Sequence, residues 1–178
     1  EVEPVPGRTT SARPWAGREG VEIVEGDLSD LAELSSQLEG CQAAYYLVHL
    51  MGTGGDFVER DRKAAHNFVA AARDLQHVIY LGGLLPDAVE VSDHLSSRAE
   101  VGEILRAGLP ATEFRAGPVI GSGSASFEMV RYLTERLPAM IAPKWILNQV
   151  QPIAVRDILQ YLVLALDRGP SGIYNVGT

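Results

Sequence analysis

Cysteine is nearly absent from this sequence, since Cys41 is the only one in 178 residues. One cysteine excludes an intrachain disulfide framework and a cysteine-rich metal site, so we expect no metal. This usage fits a reducing compartment, and Cys41, just before an apolar segment, is expected to be a small buried residue. The sequence also has no signal-peptide pattern and no apolar run of about 18 residues, the length that a membrane span needs. We therefore expect a cytoplasmic protein with no membrane partner.

Positive charge is also scarce. The chain contains 15 Lys and Arg residues against 23 Asp and Glu residues, for a formal net charge of −8. Phosphate backbones repel such an acidic chain, so nucleic acid is not expected as a partner. The length and the hydrophobic fraction of 46% are sufficient for one domain with a full core. We expect that domain to cover 1–178, with an irregular first part at 1–20 that is rich in proline, glycine and arginine.

A third absence concerns a glycine-rich turn. Dinucleotide-binding folds commonly open with a strand, a turn of the form G-x-G-x-x-G and a helix whose N-terminus holds the pyrophosphate. No such turn follows a strand-like segment here. The stretches "GTGGD" at 52–56 and "GSGS" at 121–124 follow a middle and a later strand, and we interpret both as loops.

The sequence does have a regular alternation of strand-like and helix-like segments. The strand-like segments are mostly apolar, which is typical of strands buried on both faces of a parallel sheet; they lie at 21–27, 43–52, 77–83, 111–121 and 172–177, with a further short one at 1–5. The helix-like segments lie at 29–40, 57–75, 96–107, 127–137 and 155–169. This order predicts βαβ units and therefore an α/β fold with a doubly wound parallel sheet, Rossmann-like in type.

The ends of these strands predict where a ligand would bind. In open parallel sheets, ligands bind beyond the carboxyl ends of the strands. Four such ends carry glycine or polar residues, at 26–27, 48–49, 81–83 and 117–118. Each alone is better explained by a turn or a helix cap, but their convergence at one edge of one sheet indicates a ligand site. Asp27 could accept a hydrogen bond from a ligand there.

Several segments together resemble a known family. They are "VEIVEGDLSD", "AAYYLVHLMG", "NFVAAAR", "VIYLGGLLPD", "HLSSRAEVGEILR", "FRAGPVIGSGSASFEMVRYLTERLP" and "QPIAVRDILQYLVLALD". In combination they resemble the atypical short-chain dehydrogenase/reductases, above all the NmrA-like and the NAD-dependent epimerase/dehydratase-like NAD(P)-binding proteins. The resemblance covers 21–178 and places the start of the chain near the family's second strand. The family's first βα unit, with its glycine-rich loop, therefore has no counterpart in the sequence.

The resemblance implies an NAD(P) cofactor and a set of residues that contact it. By position these are Asp27 and Leu28 at the adenine, Leu47, Val48 and His49 after the next strand, Leu81, Gly82 and Gly83 after the following strand, and Gly117, Pro118 and Val119 near the nicotinamide. Arg8 lies where a basic residue would favour a 2′-phosphate, and hence NADP. The implied partners are the dinucleotide and a small-molecule substrate, while a homo-oligomer stays open.

The resemblance also implies a catalytic arrangement from which this sequence departs. The family's reductases carry Tyr-x-x-x-Lys on the helix after the fifth strand, where the Lys lowers the Tyr pKa and holds the ribose. His94 and Arg98 occupy these positions, so His94 is the candidate acid–base residue and Arg98 the candidate ribose or substrate anchor. Asn67 matches an asparagine that helps organise the site, whereas 81–83 offers no hydroxyl where the family keeps a Ser or Thr.

Three functions are compatible with these departures. The first is an oxidoreductase that transfers hydride to or from a small carbonyl, quinone or nucleotide-sugar substrate. The second, favoured by the altered motif, is a non-catalytic NmrA-type protein that senses the dinucleotide. The third is a chain that binds dinucleotide weakly or not at all because the glycine-rich loop has no counterpart.

On the plainest interpretation, His94 and Arg98 are a solvated helix start, with Arg98 pairing with Glu100 or Glu103. Three tyrosines in apolar strands are expected to belong to the core: Tyr45, Tyr46 and Tyr80.

Overall fold

The computed structural model describes residues 17–48, 56–86, 91–121, 131–132, 135–136 and 150–177. Two of the expected cofactor contacts, Arg8 and His49, lie outside these residues, as does the short strand expected at 1–5. The helix expected at 127–137 is described at four positions only, all of which are helical.

The described chain alternates between helices and strands. The helices are α1 (Leu31–Leu38), α2 (Asp56–Ala71), α3 (Asp93–Gly108) and α4 (Val155–Arg168). The strands are β1 (Ala43–Tyr46), β2 (His77–Gly83), β3 (Ala111–Ala116), β4 (Val119–Ile120), β5 (Ile153–Ala154) and β6 (Gly172–Val176).

The main sheet is parallel throughout. Its strand order is β1-β2-β3-β6, while β4 and β5 form a separate parallel pair. The register places Tyr46 of β1 beside Tyr80 of β2, and Gly82 of β2 beside Arg115 of β3. Because the strands are parallel, the ends of β1, β2 and β3 lie at the same edge of the sheet, and they are three of the four strand ends that were predicted to meet.

Helices cover both faces of this sheet. Val78 and Tyr80 of β2 pack into a core shared with α1, α2 and α3. Ile79 points to the opposite face, where it packs with Ile158 and Leu162 of α4. This alternation is expected for a strand that is buried on both faces. The doubly wound α/β fold is thereby confirmed.

The helix ends follow the local sequence signals. The Asp30 carboxylate accepts hydrogen bonds from two N–H groups in the first turn of α1, at 3.0 Å each. Helix α4 ends at Gly169, whose φ of +75° is the left-handed conformation that glycine adopts without strain. Helix α3 begins at Asp93, three residues earlier than predicted, because Ser92 serves as its N-cap. His94 therefore lies in the first turn of α3.

Several predictions about one edge of the sheet are wrong. The segment 21–27 is not a strand, since none of the described strands pairs with it, and Val24 is 53% exposed. Strand β1 is not buried on both faces, because it is the edge strand of the described sheet and its Tyr45 is 38% exposed. Cys41, which precedes this edge strand, is likewise exposed rather than buried.

The strand expected at 111–121 is divided into β3 and β4. Pro118 lies at the break, and proline has no N–H with which to continue a strand ladder. Its carbonyl oxygen instead accepts a hydrogen bond from the N–H of Ile153, at 3.0 Å, which begins the pairing of β4 with β5.

Candidate functional site

A cavity of about 270 Å³ lies at the carboxyl ends of β1, β2 and β3. Its described lining consists of Leu47, Leu81, Gly82, Arg98, Ala116, Gly117 and Val119. All of these except Ala116 are residues that the family resemblance assigned to the cofactor. The structure therefore brings together candidates from three strand ends and one helix, as expected for a ligand site in a parallel sheet.

Close packing accounts for two glycines at this edge of the sheet. A Cβ on Gly83 would lie 2.7 Å from Cδ2 of Leu95, on α3. A Cβ on Gly117 would collide with the backbone carbonyl oxygen of Gln151. Each glycine thus lets another segment approach the sheet end, which is a sufficient reason for its presence. The features that indicate a ligand are therefore the side chains around the cavity.

Arg98 is the one charged residue in the described lining of the cavity. Its side chain is half-buried and passes over Gly83, so that a Cβ on Gly83 would lie 3.7 Å from the Nη1 atom of Arg98. The predicted pairing of Arg98 with Glu100 or Glu103 is wrong, since neither pair is formed among the described residues. Glu100 instead accepts hydrogen bonds from Arg62 of α2, at 2.5 Å to Nε and 3.1 Å to Nη2. Within the described part of the chain, the Arg98 guanidinium has neither an ion-pair partner nor a hydrogen-bond acceptor.

His94 is one helical turn before Arg98, but its ring lies elsewhere. It is exposed and stacks on Phe57 of α2, with ring centroids 4.5 Å apart and an interplanar angle of 19°. Among the described residues, the cavity lining includes Arg98 but not His94. The acid–base role of His94 stays a prediction, and a substrate protonated by this ring would have to extend toward Phe57.

Asn67 lies on α2 and holds the turn before α1. Its side-chain amide donates hydrogen bonds to the carbonyl oxygens of Leu28, at 2.9 Å, and Ser29, at 3.2 Å. The backbone N–H of Ser29 donates to the Asp27 carboxylate at 2.8 Å. This bond, together with one from the Ser29 side chain, lowers the pKa of Asp27. Asn67 therefore fixes the turn that carries two of the predicted adenine contacts, Asp27 and Leu28.

The strand tyrosines were expected in the core, and two of them are. Tyr46 and Tyr80 are each 3% exposed, and burial raises the pKa of both phenols well above its ordinary value. The Tyr80 hydroxyl donates to the backbone carbonyl of Arg98 at 3.0 Å, so it links the sheet to α3. Tyr45 is partly exposed, and its hydroxyl donates to the carbonyl of Leu162 at 2.9 Å. None of these three phenols lines the cavity within the described residues.

A buried carboxylate next to the site was missed at the sequence level. Glu113 of β3 is 1% exposed and pairs with Arg106 of α3 and with Arg115 of β3, the latter at 2.7 Å. Its carboxylate occupies the space above Gly102 of α3, where a Cβ would lie 2.7 Å from Oε2. It also lies beside Gly82, since a Cβ there would be 3.3 Å from Oε1. The signal in the sequence was a charged glutamate among uncharged residues in the strand-like stretch "ATEF".

Two of the remaining predicted cofactor contacts, Val48 and Pro118, lie next to the cavity lining in sequence, and Arg8 and His49 lie outside the described residues. Val48 follows Leu47 and is 42% exposed, and Pro118 lies between two lining residues and is exposed. In the part of the chain that is described, no cluster of three His, Cys, Asp or Glu side chains could hold a metal ion. No described helix is long and apolar enough to cross a bilayer.

These observations define what the cavity can bind. Its described lining is apolar apart from backbone groups and one permanently charged guanidinium. Such a site can hold a flat or aliphatic group and contact an anion or a hydroxyl through Arg98. It offers no carboxyl, imidazole or phenol group for proton transfer among the described lining residues.

Comparison with known proteins places this architecture. No protein-family model and no curated protein sequence matches the chain. Among solved structures, a DesIV double mutant, a dTDP-glucose 4,6-dehydratase from Streptomyces venezuelae with NAD and DAU bound, superposes with a TM-score of 0.75 at 16% identity, over 92% of this chain and 60% of that one. A short-chain dehydrogenase/reductase superfamily protein from Agrobacterium tumefaciens with bound NAD gives 0.66 at 16% identity, over 90% and 67%.

A third similar structure is the UDP-glucose 4-epimerase of Thermus thermophilus in complex with NAD. Its TM-score is 0.63 at 17% identity, over 90% of this chain and 65% of the epimerase. The chain thus spans about 60% of the length of the dehydratase and about two thirds of the other two. At these identities the likeness concerns the fold: the chain has the Rossmann-like fold of short-chain dehydrogenase/reductase and NAD-dependent epimerase/dehydratase proteins.

Proposed function

We propose that this chain binds NAD(P) as short-chain reductases do and functions as an oxidoreductase. Its substrate would be a small carbonyl compound, a quinone or a nucleotide sugar. The observation that carries this proposal is the cavity at the sheet edge, where Arg98 meets glycine-containing strand ends. Support comes from the fold and from similar structures whose names include NAD.

The cavity fits one end of a dinucleotide better than the whole molecule. Its volume of about 270 Å³ is slightly below the range of about 300–1,000 Å³ that is typical of pockets for drug-sized ligands. The strand ends at Gly82 and Gly117 would border the nicotinamide end, and the turn at Asp27 and Leu28 would border the adenine. When bound, the nicotinamide would accept or donate hydride. The chain's own part would be to orient that ring and exclude water around it.

Further features of the proposal follow from the sequence. Arg8 favours NADP over NAD, since a guanidinium pairs well with a 2′-phosphate. The single cysteine favours the cytoplasm. A homo-oligomer is compatible with the proposal and is not required by it.

A second candidate is a non-catalytic protein that binds the dinucleotide and reports its presence to a partner. It is favoured by two observations. The described lining of the cavity lacks a proton-transfer group, and His94 stacks on Phe57 instead of lining the cavity. Both candidates require the same cofactor site and differ only in turnover.

Titration of NADH and NADPH against the purified chain by calorimetry tests the shared part of the proposal. We expect saturable binding that Asn67→Ala weakens, because it releases the turn at 27–29, and that Arg73→Ala, a change at an exposed arginine beyond α2, leaves unchanged. A folded protein that binds neither dinucleotide would refute both candidates. Consumption of NAD(P)H with a panel of carbonyls and quinones would then separate the enzyme from the sensor, and His94→Ala tests the acid–base role.

A further inference from the structure

Arg98 is the side chain whose surroundings are least explained by the protein itself. Other nearby charges have partners: Glu100 is bound by Arg62, and Glu113 is shared by Arg106 and Arg115. Arg98 is half-buried against Gly83 and has no acceptor among the described residues. Partial burial of a cation without a counter-charge is unfavourable, so such a position is suited to an anion from outside the protein.

The type of cation also matters. A lysine at this position would be a compact point charge, well suited to hydroxyl groups of a sugar. A guanidinium is planar and presents parallel N–H donors that match two oxygens of one carboxylate or phosphate group. The walls around Arg98 are formed by aliphatic groups such as those of Leu47, Leu81 and Val119. These walls lower the local polarity and strengthen a charged pair.

We propose that the Arg98 cavity binds the oxyanion of the substrate, so that the substrate is a small molecule with a carboxylate or phosphate group next to its reacting carbon. This inference rests on the proposed function, because it assumes that the nicotinamide end lies against the strand ends of the cavity and leaves the Arg98 guanidinium to the substrate. It narrows the substrate to acids and makes Arg98 a substrate contact instead of a ribose contact. The carboxylate of an oxo acid and the phosphate of a small phosphate ester share the required chemistry.

The test follows the arginine side chains directly. The full chain, with a mass of 19.2 kDa, is labelled with ¹⁵N and titrated with acetate and, separately, inorganic phosphate at constant ionic strength. Arg98→Gln assigns the Nε–H signal of Arg98 by its disappearance. Arg73 provides a matched control, because it is an exposed arginine beyond the C-terminal end of α2. We expect a saturable shift at Arg98 and none at Arg73. The anion that saturates at the lower concentration identifies the carboxylate or the phosphate as the preferred source.

Variants then measure the contribution of the guanidinium. The readout is the ligand-induced rise in the unfolding temperature, which increases with the ratio of ligand concentration to dissociation constant. Arg98→Gln is expected to weaken the oxyanion by at least about tenfold, and Arg98→Lys by about two- to fivefold, because it keeps the charge but loses the planar fork. Equal, non-saturating shifts at Arg98 and Arg73, or an affinity unchanged in Arg98→Gln, would overturn the inference.

A final arm separates this inference from the proposed function. The oxyanion titration is repeated with saturating NADH, and its dissociation constant is expected to be unchanged or lower. Displacement of the oxyanion by NADH would show that Arg98 contacts the cofactor, which overturns the inference and leaves the proposed function intact. If NADH moves no signal in the folded chain, the proposed function fails, and the assignment of the oxyanion to a substrate fails with it.

Discussion

Glu113 provides the sharpest test of what holds α3, and hence Arg98, against the sheet. Its carboxylate is 1% exposed and pairs with two arginines, one on α3 and one on β3. The change Glu113→Gln keeps the shape of the side chain but removes the negative charge. It leaves the guanidinium groups of Arg106 and Arg115, whose side chains are 22% and 17% exposed, facing each other across a neutral amide.

The expected loss can be estimated from the burial of the three groups. Removing one partner of a buried ion pair typically costs about 3–5 kcal/mol. The two arginines retain some contact with solvent, so the lower end applies, and we expect a loss of about 3 kcal/mol in the free energy of unfolding. For a chain of this length, each kcal/mol corresponds to about 2–4 °C in the unfolding temperature. The loss of about 3 kcal/mol should therefore lower the unfolding temperature by about 6–12 °C.

Equilibrium urea unfolding of the wild type, Glu113→Gln and Glu103→Gln measures this loss. Glu103 serves as the control, because it is an exposed glutamate on α3, the helix to which Glu113 is tied through Arg106, so its change should stay within about 0.5 kcal/mol. Adding Arg106→Met to both the wild type and Glu113→Gln completes a double-mutant cycle, in which the two losses should not add. A loss for Glu113→Gln as small as that for Glu103→Gln would refute the reasoning.

Three further predictions concern single positions. Burial lowers the pKa of His77, whose Nδ1 is buried with no hydrogen-bond partner in the described chain. The unfolded chain therefore takes up a proton more readily than the folded chain, and the free energy of unfolding should fall as the pH drops below about 6.5. Urea midpoints measured from pH 7 to 5 should depend less on pH in His77→Gln than in the wild type, whereas the exposed control His66→Gln should keep the full pH dependence. Asn67→Ala should weaken NADH binding severalfold in a calorimetric titration, because it releases the turn at 27–29. Asn67→Asp should weaken it more, because its carboxylate would face two carbonyl oxygens. Equal affinities in the wild type and both variants would contradict this role of Asn67. Gly102→Ala should destabilise the chain by about 1–3 kcal/mol in urea unfolding, because the added Cβ would meet the Glu113 carboxylate, even though alanine is the better helix former. A gain in stability would show that Glu113 can move away from the added Cβ at no cost.

The parts of the fold that the sequence predicted well are those in which local pattern and tertiary burial agree. The segment "HVIYLGG" forms a strand with the predicted bounds. It lies between two other strands and is buried on both faces of the sheet, so apolar residues are favoured at nearly every position. The apolar residues that recur at helical spacing along α2, Phe57, Ala65 and Phe68, are all buried, because helical spacing alone determines which residues share a face. The strand expected at 21–27 failed because pairing depends on a neighbouring strand, which local sequence does not report.

The candidate site divides in the same way. Strand-end residues such as Gly82 and Gly117 could be placed together, because parallel topology brings their segments to one edge of the sheet. The roles of His94 and Arg98 could not be separated from their spacing, since residues at i and i+4 share a helix face in any helix. What separates them is tertiary: Phe57 of α2 stacks with the His94 ring, whereas the open space beyond the sheet end receives Arg98.

The same geometry bears on why a motif can keep its spacing while its chemistry changes. A Tyr-x-x-x-Lys pair works when both side chains reach one substrate, so that the proton donor and the cation act on the same group. Here the two positions face different surroundings, one an aromatic ring on a neighbouring helix and the other a cavity at the sheet end. A histidine that stacks outside the cavity exerts little constraint on what binds inside it, so the character of the site depends on Arg98. If the oxyanion binds there, the Arg98 position selects a negatively charged substrate, and the motif no longer supplies a proton donor to the cavity. Any proton that the reaction needs must then come from the substrate, from water or from a group outside the described lining.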